Sequence, residues 1–359
     1  YTYGCLDSLA SNYDATVDGI DGSCTYPGCT DPLAFNYSFS SWSNVDGTTG
    51  NAADLLYRDG SAVDDGSCIT TLQGAINAAS SGDTIYVPAG TYQESLTIDK
   101  SISLFANNVS AILDISGFTT GINILSNTSA VTIDGLEITG DNLSGSGITV
   151  NPGASNISLI NNIISNILLP GGGNASPLSY GILCWGNPST GVNPPTNINI
   201  SNNTISNVLG SAISLGSNTS NVTVSNNSFS AIIPVTFSTT SLSIGVQAEL
   251  ADGLNINNNS YDGLLQANNL VSCTNTDIDS NTYVNSPLML NTNFPHSVSM
   301  NDSPWYSIIY ATSPVAYYQA YYSDTLNLAY QGLVTAYAPM GGIWNTLSSS
   351  NPGCTDATA

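Results

Sequence analysis

Basic side chains are almost missing from this chain. Its 359 residues hold two Lys and Arg in total, one His and 25 Asp and Glu, for a formal net charge of −23. Two cations cannot neutralise a phosphate backbone, so a nucleic-acid partner is excluded. Adsorption to an anionic membrane surface is excluded by the same reasoning. Phosphate chemistry ordinarily relies on Lys or Arg, and neither Arg58 nor Lys100 sits in a phosphate-binding motif. Apolar runs near the roughly 18 residues of a membrane span are also missing, so no membrane insertion is expected. The sequence opens on Tyr1 with no initiator Met, basic n-region or signal peptide of its own, and reads as a processed or internal piece of a longer protein. Disorder is a poor reading, because 41% of residues are hydrophobic. The length suits two domains or one long β domain.

Seven Cys are present, and four fall in two related segments. One runs from Gly4-Cys5-Leu6-Asp7 through Ala10, Asn12 and Tyr13 to Asp21-Gly22-Ser23-Cys24. The next runs from Gly28-Cys29-Thr30-Asp31 through Ala34, Asn36 and Tyr37 to Asp65-Gly66-Ser67-Cys68, with an insertion. A third copy opens at Gly353-Cys354-Thr355-Asp356. The repeat resembles the GCTDPxAxNY…DDGSC modules of secreted and surface proteins from marine bacteria, algae and their viruses. Modules this small cannot bury a core, which favours disulfides as staples. Four Cys allow three pairings; Cys5–Cys24 and Cys29–Cys68 are the expected ones. Zinc is a weaker use of these Cys, since His296 is the only His. Carboxylates are dense here, and Ca²⁺, a hard cation taking oxygen ligands, would neutralise them. The candidate ligands are Asp14, Asp18, Asp21, Asp64 and Asp65. The competing reading is that these Asp make Asx-turns. No other cofactor is expected.

After Cys68 the texture changes. Leu72, Ala75, Ile76 and Ala79 recur at helical spacing, with Thr70 or Thr71 as N-cap. Then come Gly82-Asp83-Thr84-Ile85-Tyr86-Val87-Pro88-Ala89-Gly90-Thr91-Tyr92 and Leu96-Thr97-Ile98-Asp99-Lys100. This resembles the opening of pectin-lyase-like right-handed parallel β-helices, a capping helix followed by the first coils. A second repeat points the same way without the resemblance. Residues 155–167, 196–208, 220–232, 252–264 and 274–286 share alternating apolar positions, an Asn-rich corner and two further apolar positions. Residues 129–141 fit more loosely, and the Gly/Pro-rich stretch 170–195 reads as an insertion. Such coils mark a solenoid. Asn162, Asn203, Asn227, Asn259 and Asn281 share one coil position. Their amides are expected to stack as a hydrogen-bonded ladder, and the same Asn to supply the left-handed corner. About nine coils are expected between residues 83 and 295. Cys184 and Cys273 read as buried thiols.

The fold expectation is therefore all-β: a right-handed parallel β-helix with an N-terminal capping helix, small disulfide-stapled modules and an aromatic C-terminal cap. The boundaries are 1–27 and 28–69 for the modules, 70–303 for the β-helix, 304–350 for the cap and 351–359 for a further module. The cap segment carries Trp305, Tyr306, Tyr317, Tyr318, Tyr321, Tyr322 and Trp344, and is expected to include a helix near 314–338. These aromatics suit a cap, an interface or a sugar platform.

The resemblance implies cleavage of acidic polysaccharides, by clustered Asp or by Ca²⁺ with a basic residue. A lyase base needs cations to stabilise the developing enolate, and after residue 100 no Lys or Arg remains. The candidate carboxylates are Asp277 and Asp279 on one strand face, with Asp252 and Asp262 one coil earlier. The expected function is instead structural or adhesive: a repeating unit of an extracellular filament, fibre or surface layer on a cell or virion. The expected partners are further copies, neighbouring modules of the same longer chain, and surface glycans. A polysaccharide lyase or hydrolase and a non-catalytic glycan-binding spike are the alternatives. Thirteen Asn-x-Ser/Thr sites are present, against about ten expected by chance, so glycosylation is not established by count.

Overall fold

A computed structural model describes residues 1–8, 10–28, 34–35, 60–64, 68–106, 110–169, 179–186, 193–237, 240–284, 286, 288–293, 298–300, 305–313, 316–323 and 343–346. The chain divides into two units, Tyr1–Ala79 and Ser80–Ala359.

In the first unit, strand Tyr3–Gly4 pairs in parallel with Gly19–Ile20, and Cys24–Gly28 with Gly60–Asp64. The expected Cys5–Cys24 disulfide is present. Cys68 is also disulfide-bonded, while Cys29 lies outside the described residues, as do Asp65 and Cys354. The repeat motif proves to be a set of internal contacts. Cys5, Ala10, Cys24 and Tyr26 form a small buried cluster. Tyr26 donates its hydroxyl to Asp7 Oδ2 at 2.7 Å. Asn12 clamps the closing strand twice, donating to Ser23 O at 2.6 Å and accepting from Thr25 N at 2.7 Å. The helix spans Leu72–Ala78, and Thr71 accepts from Gly74 N as its N-cap. It belongs to this unit, so the division falls later than residue 70. Phe35 N donates to Ile69 O at 2.9 Å, tying the segment before the helix back to the second module.

The second unit winds through three parallel sheets, I, II and III, visited in that order in each coil. Sheet I has nine strands, from Thr84–Tyr86 to Val298–Met300, the ninth lying past residue 295, where the nine expected coils were to end. Sheet II has eight, from Gly90–Gln93 to Thr282–Val284. Sheet III begins with eight parallel strands, from Leu96–Ile98 to Leu288–Asn293. Alternation sets the core. In Ser129–Asp134, Val131 and Ile133 are buried while Ala130, Thr132 and Asp134 face outward. Ile133 stacks in register on Leu104 below and Leu159 above. Each such inward Ile or Leu contributes about 2 kcal/mol of transfer free energy. In sheet II the inward column turns from aliphatic to aromatic: Ile205, Phe229, Tyr261 and Tyr283 are successive partners. The Tyr261 and Tyr283 rings stack at 5.3 Å.

The corners separate two roles that sequence reading had joined. The ladder asparagines turn inward, Asn162, Asn203, Asn227 and Asn259 buried and Asn281 half-buried; their predecessors carry the left-handed backbone. Asn161, Asn202, Asn226 and Asn258 have φ of 57°, 58°, 56° and 53°, with Ser280 at 59° in the last coil. Asn tolerates this conformation better than other residues with a side chain. A second left-handed column, Asn156, Asn197 and Asn221, opens the sheet I strands.

Two segments differ from expectation. Ser179–Cys184, inside the stretch read as an insertion, is a regular sheet III strand whose Ile182 and Cys184 point inward. The expected helix near 314–338 is not formed where the chain is described. Ala316–Ser323 is a strand, paired antiparallel with Leu288–Asn293 and with Trp305–Ser313. The latter pairs with Ile343–Thr346. Densely aromatic sequence fits a pleated surface better than a helix. Trp305, Tyr306, Tyr317, Tyr318, Tyr321, Tyr322 and Trp344 thus lie on three antiparallel strands that extend sheet III past its last coil.

Candidate functional site

The ladder is the most extensive arrangement of functional groups. Asn162 donates its backbone N–H and its Nδ2 to Asn203 Oδ1 at 2.9 and 3.1 Å. Asn203 does the same to Asn227, Asn227 to Asn259 and Asn259 to Asn281, all within 2.9–3.0 Å. Each Nδ2 also donates to a strand carbonyl, as Asn203 does to Leu159 O at 2.8 Å. Below, Leu136 N caps the stack on Asn162 Oδ1 at 3.0 Å. The sequence steps are 41, 24, 32 and 22 residues, yet the geometry repeats. Two further amide stacks stand nearer the surface: Asn156–Asn197–Asn221, and Asn207 on Asn166.

The candidate catalytic carboxylates do not come together. Asp277 and Asp279 do share the exposed face of one sheet I strand. Asp252 lies in register with Thr274, three residues before Asp277, so it is offset by about 10 Å along the strand. Its carboxylate accepts from Thr274 Oγ1 at 2.5 Å and Asn275 Nδ2 at 2.6 Å, which holds it below the usual aspartate range. Asp262 is on sheet II, in register with Val284. Among the described residues no group of three His, Cys, Asp or Glu side chains could hold a metal ion.

The Asp of the first module are engaged singly. Asp14 Oδ1 accepts from Thr16 Oγ1 and N at 2.6 and 2.8 Å. Asp21 Oδ1 accepts from Ser23 N at 2.9 Å, and Asp18 Oδ2 from Thr2 N at 2.9 Å. The hydroxyl and backbone donors two residues on depress Asp14 and Asp21 below the ordinary aspartate value. This is the Asx-turn pattern. The side chain of Asp64 and the whole of Asp65 lie outside the described residues, and so does the full five-residue Ca²⁺ set.

Outward faces are mostly neutral. The central column of sheet III reads Thr97, Asn123, Thr149, Leu183, Ser214, Gln247, Asn269. On sheet I it reads Ser103, Thr132, Ser158, Asn199, Thr223, Asn255 before Asp277. Lys100 lies 3.9 Å from Asp99. Cys184 and Cys273 are free and buried, and burial pushes their thiols up to about 12 and about 11.

One groove was not foreseen. It lies at the outer edge of sheet I, has a volume of about 470 Å³ and is lined by Phe105, Ala106, Asp134, Gly135 and Asn161. Tyr86, Phe105 and Asp134 are successive partners across three strands. The Tyr86 and Phe105 rings meet edge-on with centroids 5.8 Å apart, and Tyr86 is 66% exposed. Asn161 Nδ2 donates to Asp134 Oδ1 at 2.8 Å. The signal was available in sequence: Tyr86 and Phe105 both end Thr-Ile-Tyr and Ser-Leu-Phe strands of the first two coils.

The sequons acquire a structural explanation. Asn127, Asn156, Asn202, Asn218, Asn221, Asn226 and Asn258 all have positive φ. Each is followed two positions later by a Ser or Thr, in the next strand or, for Asn156 and Asn221, in the strand that the Asn itself opens. Coil grammar thus accounts for seven of the thirteen Asn-x-Ser/Thr sites.

No protein-family model matches the chain, and no curated protein matches it. Solved structures that it resembles include an alginate lyase from Paenibacillus sp., with 15% identity, TM-score 0.40, and coverage of 64% of this chain and 95% of that one. A rhamnogalacturonan lyase shares 13% identity at TM-score 0.37 over 71% and 76%. A pectin methylesterase shares 10% at 0.31 over 63% and 79%. Among the described residues, no helix is long and apolar enough to cross a membrane. The chain itself is a parallel β-helix preceded by a disulfide-stapled module.

Proposed function

We propose that this chain is an extracellular structural or adhesive unit, in which a β-helix acts as a stiff rod and the acidic disulfide modules as joints. The observation that carries this reading is the inward amide stack from Asn162 to Asn281, buried as far as Asn259. It keeps one geometry across coil steps of 41 and 32 residues as well as 24 and 22. Identical amides stacked at about 4.8 Å reinforce one another along the axis. Nine rungs of sheet I at that spacing span about 38 Å. The neutral outward columns and the separated carboxylates support a role without catalysis. Partners under this reading are further copies, neighbouring modules of a longer chain, and surface glycans. The three antiparallel strands that extend sheet III offer a further hydrogen-bonding edge for such contacts.

The test is assembly. Sedimentation and electron microscopy of the full chain, and of the native source material, should reveal periodic fibres or a surface layer. A chain that stays monomeric at all concentrations, in a source devoid of fibres, would overturn the reading. In parallel, alginate, pectin and rhamnogalacturonan should release no unsaturated or reducing sugars. Release that disappears in Asp277→Asn would favour the polysaccharide-cleaving alternative.

A further inference from the structure

The groove beside Phe105 combines features that the rod does not require. An aromatic pair stands on the outer face, beside a central column of sheet I that places Ser103, Thr132 and Ser158 there. Phe105 lines the groove, and the exposed Tyr86 ring abuts it edge-on. Gly135 leaves the floor bare. Its φ of +79° suits glycine, and a Cβ there would meet Ala106 O at 2.8 Å. Beside Phe105, on the next strand and its following corner, stand a carboxylate and an amide fixed to one another. Asn161 Nδ2 holds Asp134 Oδ1, while Asp134 Oδ2 and Asn161 Oδ1 accept no side-chain hydrogen bond among the described residues.

We propose that this groove binds a neutral saccharide. An aromatic side chain beside two oxygen acceptors suits a pyranose, whose C–H groups pack on a ring while its hydroxyls donate to the oxygens. The volume, about 470 Å³, lies within the usual range for small-ligand sites of about 300–1,000 Å³. The charge selects the class. No cation lines the groove, Asp134 does, and the chain carries −23, so uronates and sulfated sugars are repelled. A metal ion is disfavoured too, because Asn161 presents an N–H donor to the carboxylate and no second carboxylate lines the groove. This assignment does not rest on the assembly reading: a monomeric chain would bind as well.

The experiment is saturation-transfer NMR and calorimetry on the full chain with cellohexaose, laminarihexaose and mannohexaose, and with trigalacturonate as acidic control. At least one neutral hexaose should bind with Kd of about 1 mM, or about −4 kcal/mol. Phe105→Ala and Asp134→Leu should each weaken it at least tenfold, with unchanged circular dichroism. Tyr86→Ala, at a largely exposed side chain, should weaken it severalfold without touching the fold. Absence of binding by all three neutral sugars overturns the proposal. So does equal affinity in Phe105→Ala, or tighter binding of trigalacturonate than of any neutral hexaose.

Discussion

Asn227 Oδ1 accepts twice from Asn203, from the backbone N–H at 2.9 Å and from Nδ2 at 3.0 Å. Asn227 Nδ2 in turn donates to Ile200 O at 2.9 Å. One side chain therefore satisfies a buried donor on the coil below and a buried acceptor there too. Asn227→Ala strands both, and a buried unsatisfied group costs about 1–3 kcal/mol. The expected loss is about 3 kcal/mol, read as a lower denaturant midpoint. Asn227→Asp keeps the acceptor but sets a carboxylate against Asn259 Oδ1 and Ile200 O. Burial and those oxygens raise its pKa, so this variant is expected to lose stability further as pH rises through the raised value. A pH-independent deficit would contradict the geometry.

Much of this was legible in sequence, and the gaps have physical causes. The ladder column could be aligned because sheets I and II follow a strict period of two on each side of a short corner. Which of two adjacent asparagines bends the chain and which turns inward was not legible in Asn161-Asn162 or Asn202-Asn203, since alignment places both at the corner. Sheet III was nearly invisible, because its inward positions include glycine and alanine and its flanks vary in length. Ser179–Cys184 was hidden in this way. The carboxylate pair Asp277 and Asp279 was read correctly as one face. Grouping Asp252 and Asp262 with it needed the register of neighbouring coils, which coil counting alone does not supply.

The glycine column of sheet III leads to a second expectation. Gly147 is buried on the inner side, and a Cβ there would lie 2.6 Å from Ile164 Cγ2 and 2.7 Å from Gly181 O. The sheet II isoleucine fills the space that a side chain would take, and the backbone oxygen cannot swing away. Overpacking of this kind costs about 1–3 kcal/mol. Gly147→Ala should therefore lower the melting temperature, and the paired change Gly147→Ala with Ile164→Val should recover part of the loss. A Gly147→Ala protein as stable as the parent would sink the packing account.

Acid should act in two opposed ways. Asp14, Asp21, Asp114 and Asp252 are all held below the ordinary aspartate value, chiefly by side-chain donors from Thr16, Ser23, Ser116 and Thr274. Depressed folded values mean stability that is present above the unfolded pKa of about 3.9 and lost as pH falls through the folded values. All four groups are solvent-exposed, so their share is modest. Against this, the net charge of −23 repels itself at neutral pH, and titration toward pH 4 relieves that repulsion. The melting temperature should rise or hold from about pH 7 to pH 4.5 and fall below about pH 3.5. Added salt should flatten the upper limb by screening. A monotonic decline from neutral pH would mean that the acidic side chains do not repel one another as the composition implies.

The first module separates two kinds of staple. Cys5–Cys24 closes a loop with a sequence separation of 19 residues, for which the chain-entropy account gives about 3 kcal/mol. Cys5→Ser with Cys24→Ser should therefore unfold this unit selectively, seen as loss of the amide protection of Thr25 N, which Asn12 Oδ1 caps at 2.7 Å. Chelation should not, because Asp14, Asp18 and Asp21 already take their hydrogens from Thr16, Thr2 and Ser23 and converge on no common point. The measurement is hydrogen exchange of the full chain under reduction and, separately, under excess chelator. Loss of protection at Thr25 on chelation alone would show that the carboxylates hold Ca²⁺ after all, with Asp64 and Asp65 completing the set.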